Sequence, residues 1–180
     1  MPVQDFFSEE EWKLLSIAPP LVGAAMSGAA FSGVMGSIKE ALANSKTILE
    51  GAKKYPENEL IQEVVNKPNS WGDAKQRNQY FQEILKEKMQ ANDIKKPEEM
   101  VDFVLCECEN LNTLLEEKAS LEQTAQYKEW LLTIANNVAS AAKEGGTLGF
   151  GGVRVSDSER DFYDRLKTTL KVEDKTDEVV

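Results

Sequence analysis

The chain contains no histidine at any of its 180 positions. Histidine is the usual general base, a common zinc ligand and the partner that activates a nucleophilic serine or cysteine. Its absence removes the central residue of most hydrolase mechanisms and of glutamate-histidine di-iron sites. No Gly-Lys-Ser/Thr sequence closes a phosphate-binding loop either. We therefore predict a protein without catalytic residues, and an enzyme or small-molecule binder that uses only carboxylates and tyrosines stays open as a third alternative.

Cysteine is almost as scarce, since Cys106 and Cys108 are the two in the chain. Residues two apart on a helix do not face each other, so these thiols are poorly placed to share a metal ion or to form a disulfide. We expect both to be buried thiols in a reducing compartment. The chain begins Met-Pro-Val-Gln-Asp, without the basic and apolar segments of a secretory signal. A cytoplasmic location is the expectation.

Positively charged residues are also few. The chain has 21 lysines and arginines and 31 aspartates and glutamates, which gives a net charge of −10 and a pI near 4.7. Such a surface repels nucleic-acid phosphate and anionic lipid head groups, so neither is expected as a partner. Solubility accounts for the acidity, with nucleic-acid mimicry or weak cation binding as alternatives.

No convincing β-strand pattern occurs, and apolar residues recur instead at helical spacing. The sequence predicts an all-α, single-domain bundle of about six or seven helices over residues 1–171. The acidic tail, 172–180, is predicted to be disordered. Trp12, Trp71 and Trp130 lie on apolar stripes, which favours core positions over the lining of a ligand pocket.

An uncharged stretch covers residues 14–38 and is long enough to span a bilayer. It contains Pro19 and Pro20 and many small residues, and no basic cluster flanks one side. We expect it to pack inside a bundle or to form a connector, without stable membrane insertion. The two prolines predict a kink or a brief break in the first helix.

The segment 127–170 reads as a helical hairpin around which the chain is organised. Its first helix should end near Glu144, before a glycine-rich connector. Its second helix should begin at a capping box formed by Ser156 and Glu159. The apolar faces of the two helices are Tyr127, Leu131, Ile134, Val138 and Ala141, and then Phe162, Tyr163, Leu166 and Leu170.

An internal repeat is suggested by residues 14–26 and 131–143, which align without a gap. A Glu-Trp pair precedes each segment, and Ser-x-x-Glu ends each following connector, at Ser37 and at Ser156. Two hairpins, 9–54 and 127–170, would then bracket the middle helices with pseudo-two-fold symmetry. Chance similarity between two helices rich in alanine and leucine is the alternative.

The second hairpin carries Ala-Ala-Lys-Glu-Gly-Gly at 141–146, then Val155, Ser156 and Glu159 before an apolar helix. This pattern resembles the helix, acidic-glycine turn and Val-Ser-x-x-Glu helix of the tellurite-resistance TerB-like proteins. The resemblance implies an all-helical fold, an association with stress responses, and cation binding near the inner membrane. It implies a Ca²⁺ or Mg²⁺ site at Glu144, Asp157 and Glu159.

The first functional hypothesis is a non-enzymatic protein that binds a protein partner or a second copy of itself. Its contact would be the acidic face or the connector, where Leu148, Phe150 and Val153 place apolar side chains on a glycine-rich loop. The TerB-like divalent-cation-binding protein is the second hypothesis.

Overall fold

Helices make up the regular structure in residues 2–28, 45–66, 74–144 and 156–173, which are the residues that the computed structural model describes. A short 3-10 turn, Val3–Phe6, precedes the first α-helix, and these ranges contain no strand. The seven α-helices of the described ranges are α1 (Glu9–Gly28), α2 (Ser45–Ala52), α3 (Glu59–Asn66), α4 (Ala74–Ala91), α5 (Pro97–Lys118), α6 (Leu121–Glu144) and α7 (Asp157–Thr169). The predicted all-α bundle is confirmed.

The core lies where α1, α5 and α6 pack against one another, and α7 contacts all three. The short helices α2 and α3 also contact α6 and each other. Trp12 and Trp130 are buried as predicted, whereas Trp71 lies outside the described residues. The largest fully buried side chains are Leu15, Ile17, Met26, Leu60, Ile61, Leu111, Leu115, Tyr127, Trp130, Leu131, Ile134 and Phe162. Their removal from water is the main favourable contribution to folding.

Helix α1 continues through Pro19 and Pro20, so of the predicted kink or brief break, the break does not occur and the kink stays a prediction. Proline has no N–H, and Pro19 therefore leaves the carbonyl of Leu15, four residues earlier, without its helical donor. The hydroxyl of Tyr127 on α6 donates to that carbonyl at 2.6 Å. A side chain from another helix thus replaces the missing backbone donor inside the core.

Capping boxes start α1 and α7, and the box predicted at Ser156 and Glu159 is confirmed. Ser8 and Glu11 exchange hydrogen bonds of 2.6 and 3.3 Å at the start of α1. Ser156 and Glu159 do the same at the start of α7, at 2.7 and 3.2 Å. Each box satisfies backbone N–H groups that have no partner within the helix. The Ser-x-x-Glu sequence that begins at Ser37 lies outside the described residues.

Helix α2 approaches α6 closely at one glycine. A Cβ atom added to Gly51 would lie 3.0 Å from Cδ1 and 3.1 Å from Nε1 of Trp130. The same indole nitrogen donates to the carbonyl of Ile48 at 3.2 Å. The small residue therefore lets the buried ring reach the backbone of α2.

A Schellman motif ends α7. Val172 N donates to Lys167 O at 3.2 Å, and Lys171 N donates to Thr168 O at 3.0 Å. Lys171 has a φ of 52°, a left-handed conformation that glycine adopts with less strain. Val172 packs against the core, so the ordered chain extends slightly into the tail that was predicted to be disordered; residues 174–180 are not described.

The predicted repeat of 9–54 and 127–170 is not shown by the structure. Both of its connectors fall outside the described ranges, at 29–44 and 145–155. Among the helices that the structure describes, none combines the length and the apolar character needed to cross a membrane.

Candidate functional site

An open groove of about 490 Å³ runs between α5 and α7, and we call it the α5–α7 groove. Helix α5 forms one wall and helix α7 forms the other. Its lining residues are Asp102, Leu105, Cys106, Glu109, Asp164, Arg165, Thr168 and Thr169.

The spacing of the α5 residues explains why they share a wall. Positions 102, 105, 106 and 109 follow the i, i+3, i+4, i+7 pattern of a single helical face. This face lies beside the buried stripe of α5, which includes Val104, Cys108 and Leu111. Leu105 is also buried, and it forms part of the groove floor, whereas Asp102 and Glu109 are exposed.

The two cysteines differ in burial, and the prediction that both are buried is wrong for Cys106. Cys106 is exposed and lines the groove, whereas Cys108 is buried in the core. The two side chains point about 200° apart around the helix, so an amphipathic helix cannot bury both on one narrow stripe. Burial, with a smaller contribution from the charge of Glu107, raises the pKa of the Cys108 thiol to about 12.

Negative charge exceeds positive charge in the groove. The guanidinium of Arg165 bridges to Asp102, with Nη2 to Oδ1 at 2.5 Å, and lies 3.8 Å from Asp161 on its own helix. For Glu109 and Asp164, no ion pair is found within the described ranges. Three lining carboxylates thus face one lining guanidinium that already has carboxylate partners.

The groove is lined by carboxylates, a guanidinium, two threonines, a thiol and a leucine. A cysteine nucleophile is usually activated by a neighbouring base such as histidine, which the chain lacks. No group of three or more metal-ligating side chains capable of holding an ion is found among the described residues. Carboxylates, threonine hydroxyls and a thiol above an apolar floor can instead hold a ligand by charge, hydrogen bonds and contact area.

The cation site at Glu144, Asp157 and Glu159 stays a prediction. Glu159 is buried, and its Oε2 accepts hydrogen bonds from the backbone N and the hydroxyl of Ser156 at 2.7 and 2.8 Å. Its carboxylate is therefore already used to start α7. Asp157 is exposed in the first turn, and the side chain of Glu144 is outside the part of the chain described.

The predicted contact residues Leu148, Phe150 and Val153 also lie outside the described residues, so that hypothesis stays untested. Within the described ranges, two large apolar side chains are exposed, Phe6 at 62% and Leu121 at 92%. Phe6 ends the 3-10 turn and Leu121 is the first residue of α6, and neither lines the groove.

A polar cluster joins the ends of α5, α6 and α7. Lys128 is only 7% exposed, and its ammonium lies 3.2 Å from Glu116, which Lys171 also approaches at 3.5 Å. The hydrogen bond from Lys128, with the charges of both lysines, lowers the pKa of the Glu116 carboxyl. Asn112 is buried one turn earlier, and its Oδ1 has no hydrogen-bond partner within the described part of the chain. The cluster is chiefly a structural ion-pair network.

Sequence reasoning missed the α5–α7 groove. A signal for one wall was present, because Asp102, Cys106 and Glu109 interrupt the apolar character of α5 at helical spacing. The second wall depends on the packing of α7, which no local pattern specifies.

Comparisons with known proteins add no relative: no family model, no curated protein and no solved structure matches the chain.

Proposed function

We propose that this chain is a non-enzymatic helical module that binds a protein partner, and that the α5–α7 groove is its binding surface. The observation that carries the proposal is the groove itself, which combines a buried leucine floor with carboxylates that have no ion-pair partner among the described residues. Exposed concave surfaces with apolar floors and polar rims are typical of binding sites.

The scaffold behind the groove supports this function. Both walls belong to helices that are anchored in the core by other residues, Val104 and Leu111 on α5 and Phe162 and Leu166 on α7. A groove between anchored helices keeps its shape without a partner, so less conformational entropy is lost on binding. An enzyme is less well supported, because the groove offers a thiol without a histidine to activate it.

Affinity capture from the native cell extract tests the proposal when it is done with matched variants. The groove variant carries Glu109→Lys and Asp164→Lys, and the control carries Glu57→Lys and Glu87→Lys at exposed positions away from the groove. The two variants change the net charge equally. Circular dichroism melts establish that both are folded.

We expect a protein that is retained by the wild-type chain and by the control but is lost from the groove variant. That pattern separates a specific contact from general attraction to an acidic surface. If every protein captured by the wild-type chain is captured equally by the groove variant, the groove is not the binding surface and the proposal is overturned.

A further inference from the structure

The form of partner that fits the groove follows from the structures of its walls. An extended peptide is usually bound by addition to a sheet edge, but both walls here are helices whose backbone groups are already hydrogen-bonded. A polyproline segment needs an aromatic-lined groove, and none of the eight lining residues that the structure describes is aromatic. A helix, by contrast, packs its side-chain ridge into the groove between two neighbouring helices.

The charge of the groove specifies the chemistry of that helix. The single cation among its described lining residues, Arg165, lies between Asp102 and Asp161, so it is poorly placed to recruit a phosphate or an acidic peptide. Glu109 on one wall and Asp164 on the other have no cationic partner among the described residues. Carboxylates on both rims attract a ligand with positive charge on each side of an apolar stripe.

We infer that the α5–α7 groove binds a basic amphipathic helix of a partner protein, an inference that rests on the proposed function and specifies its occupant. The apolar stripe of that helix lies over Leu105 and Cys106, and its lysines or arginines reach Glu109 and Asp164. The α5 wall extends from Asp102 to Glu109, a distance of about 10 Å at helical rise, which corresponds to roughly two turns of contact.

The thiol of Cys106 makes occupancy of the groove measurable. It is exposed in the groove, whereas Cys108 is buried, so a maleimide should modify Cys106 first in the folded chain. A helix bound over the groove covers Cys106 and slows its alkylation. The experiment therefore reports where a ligand binds as well as how tightly it binds.

The probes are three synthetic peptides: an amphipathic helix of leucine and lysine, the same helix with glutamate replacing lysine, and a leucine-lysine peptide of identical composition whose order abolishes the apolar stripe. Fluorescence anisotropy gives the affinity, and the alkylation rate locates the site. We expect the basic amphipathic peptide alone to slow alkylation. The Glu109→Lys, Asp164→Lys variant should bind it at least about tenfold more weakly.

The Glu57→Lys, Glu87→Lys chain is the control and should bind the basic amphipathic peptide within about twofold of wild type. The inference is overturned if both variants lose affinity equally, if the scrambled peptide protects Cys106 as well, or if binding leaves the alkylation rate unchanged. If the affinity capture yields a protein that requires the groove but the basic amphipathic peptide does not protect Cys106, the inferred basic helix is wrong and the proposed function stands. If neither the affinity capture nor the peptide assay gives the expected result, both the inference and the proposed function are overturned.

Discussion

The hydrogen bond from Tyr127 to the carbonyl of Leu15 should make a measurable contribution to stability. Tyr127 is fully buried and its hydroxyl lies 2.6 Å from that oxygen. Tyr127→Phe removes the hydroxyl and keeps the ring, which packs edge to face against Trp130 at 5.2 Å. The carbonyl is then buried without a donor, because Pro19 cannot supply one. We expect the free energy of unfolding to fall by about 1–3 kcal/mol.

A double-mutant cycle with Pro19→Ala tests this cause. Alanine at position 19 supplies the N–H that completes the helical hydrogen bond to Leu15, so the carbonyl no longer depends on Tyr127. Tyr127→Phe should therefore be less destabilising in the Pro19→Ala background than in the wild-type background, by about 1 kcal/mol. The cycle cancels any effect of Pro19→Ala that does not involve the hydroxyl.

Urea unfolding followed by circular dichroism measures all four members of the cycle. Tyr163→Phe is the control, because this tyrosine is half-buried and no hydrogen bond from its hydroxyl is found in the described ranges. We expect it to change the free energy of unfolding by less than about 0.5 kcal/mol. Burial raises the pKa of Tyr127 well above its ordinary value, so the hydroxyl stays protonated and the effect should be equal at pH 6 and pH 9. An equal loss of stability in both proline backgrounds would refute the reasoning.

Three further predictions concern individual glycine, lysine and cysteine positions. Gly51→Ala should lower the free energy of unfolding by about 1 kcal/mol or more, because its new methyl would lie 3.0 Å from a buried indole. Gly23→Ala leaves 3.7 Å to the nearest neighbouring atom, so it should raise the free energy of unfolding by about 0.5–1 kcal/mol in the same urea assay. Lys171→Gly should raise the melting temperature by relieving a φ of 52°, and a lower value would contradict the strain argument. Ellman's reagent should modify Cys106 alone in the folded chain and Cys108 only after unfolding, because Cys108 is buried and burial raises the pKa of its thiol to about 12. Rapid modification of both thiols in the folded chain would contradict the structure.

Local signals in the sequence predicted the helices and much of the core. The stripe of α6 is confirmed at Tyr127, Leu131, Ile134 and Val138, all buried, because helical spacing determines which residues share a face. The Ser156 capping box is confirmed for a similar reason, since all its atoms belong to four consecutive residues. Patterns of this kind need no knowledge of the tertiary structure.

Contacts between residues that are distant in sequence could not be predicted from such local patterns. The Leu15 carbonyl, which Pro19 leaves without a helical donor, accepts a hydrogen bond from a hydroxyl 112 residues away in sequence. The groove likewise requires α7 to lie beside α5, a packing that neither helix specifies alone. The difference between Cys106 and Cys108 was accessible, however, because their spacing on a helix predicts opposite faces.

The residues through which α6 contacts α1 and α2 differ from the residues that line the α5–α7 groove. Tyr127 and Trp130 connect α6 to α1 and α2, and neither residue lines the α5–α7 groove. Tyr127→Phe should therefore lower the free energy of unfolding without changing affinity for the basic amphipathic peptide. Reversing Glu109 and Asp164 should do the opposite, because both side chains are exposed and make no ion pair in the described part of the chain. If Tyr127→Phe weakens peptide binding while the chain remains folded, the groove is not a rigid surface and its shape depends on the core that supports it.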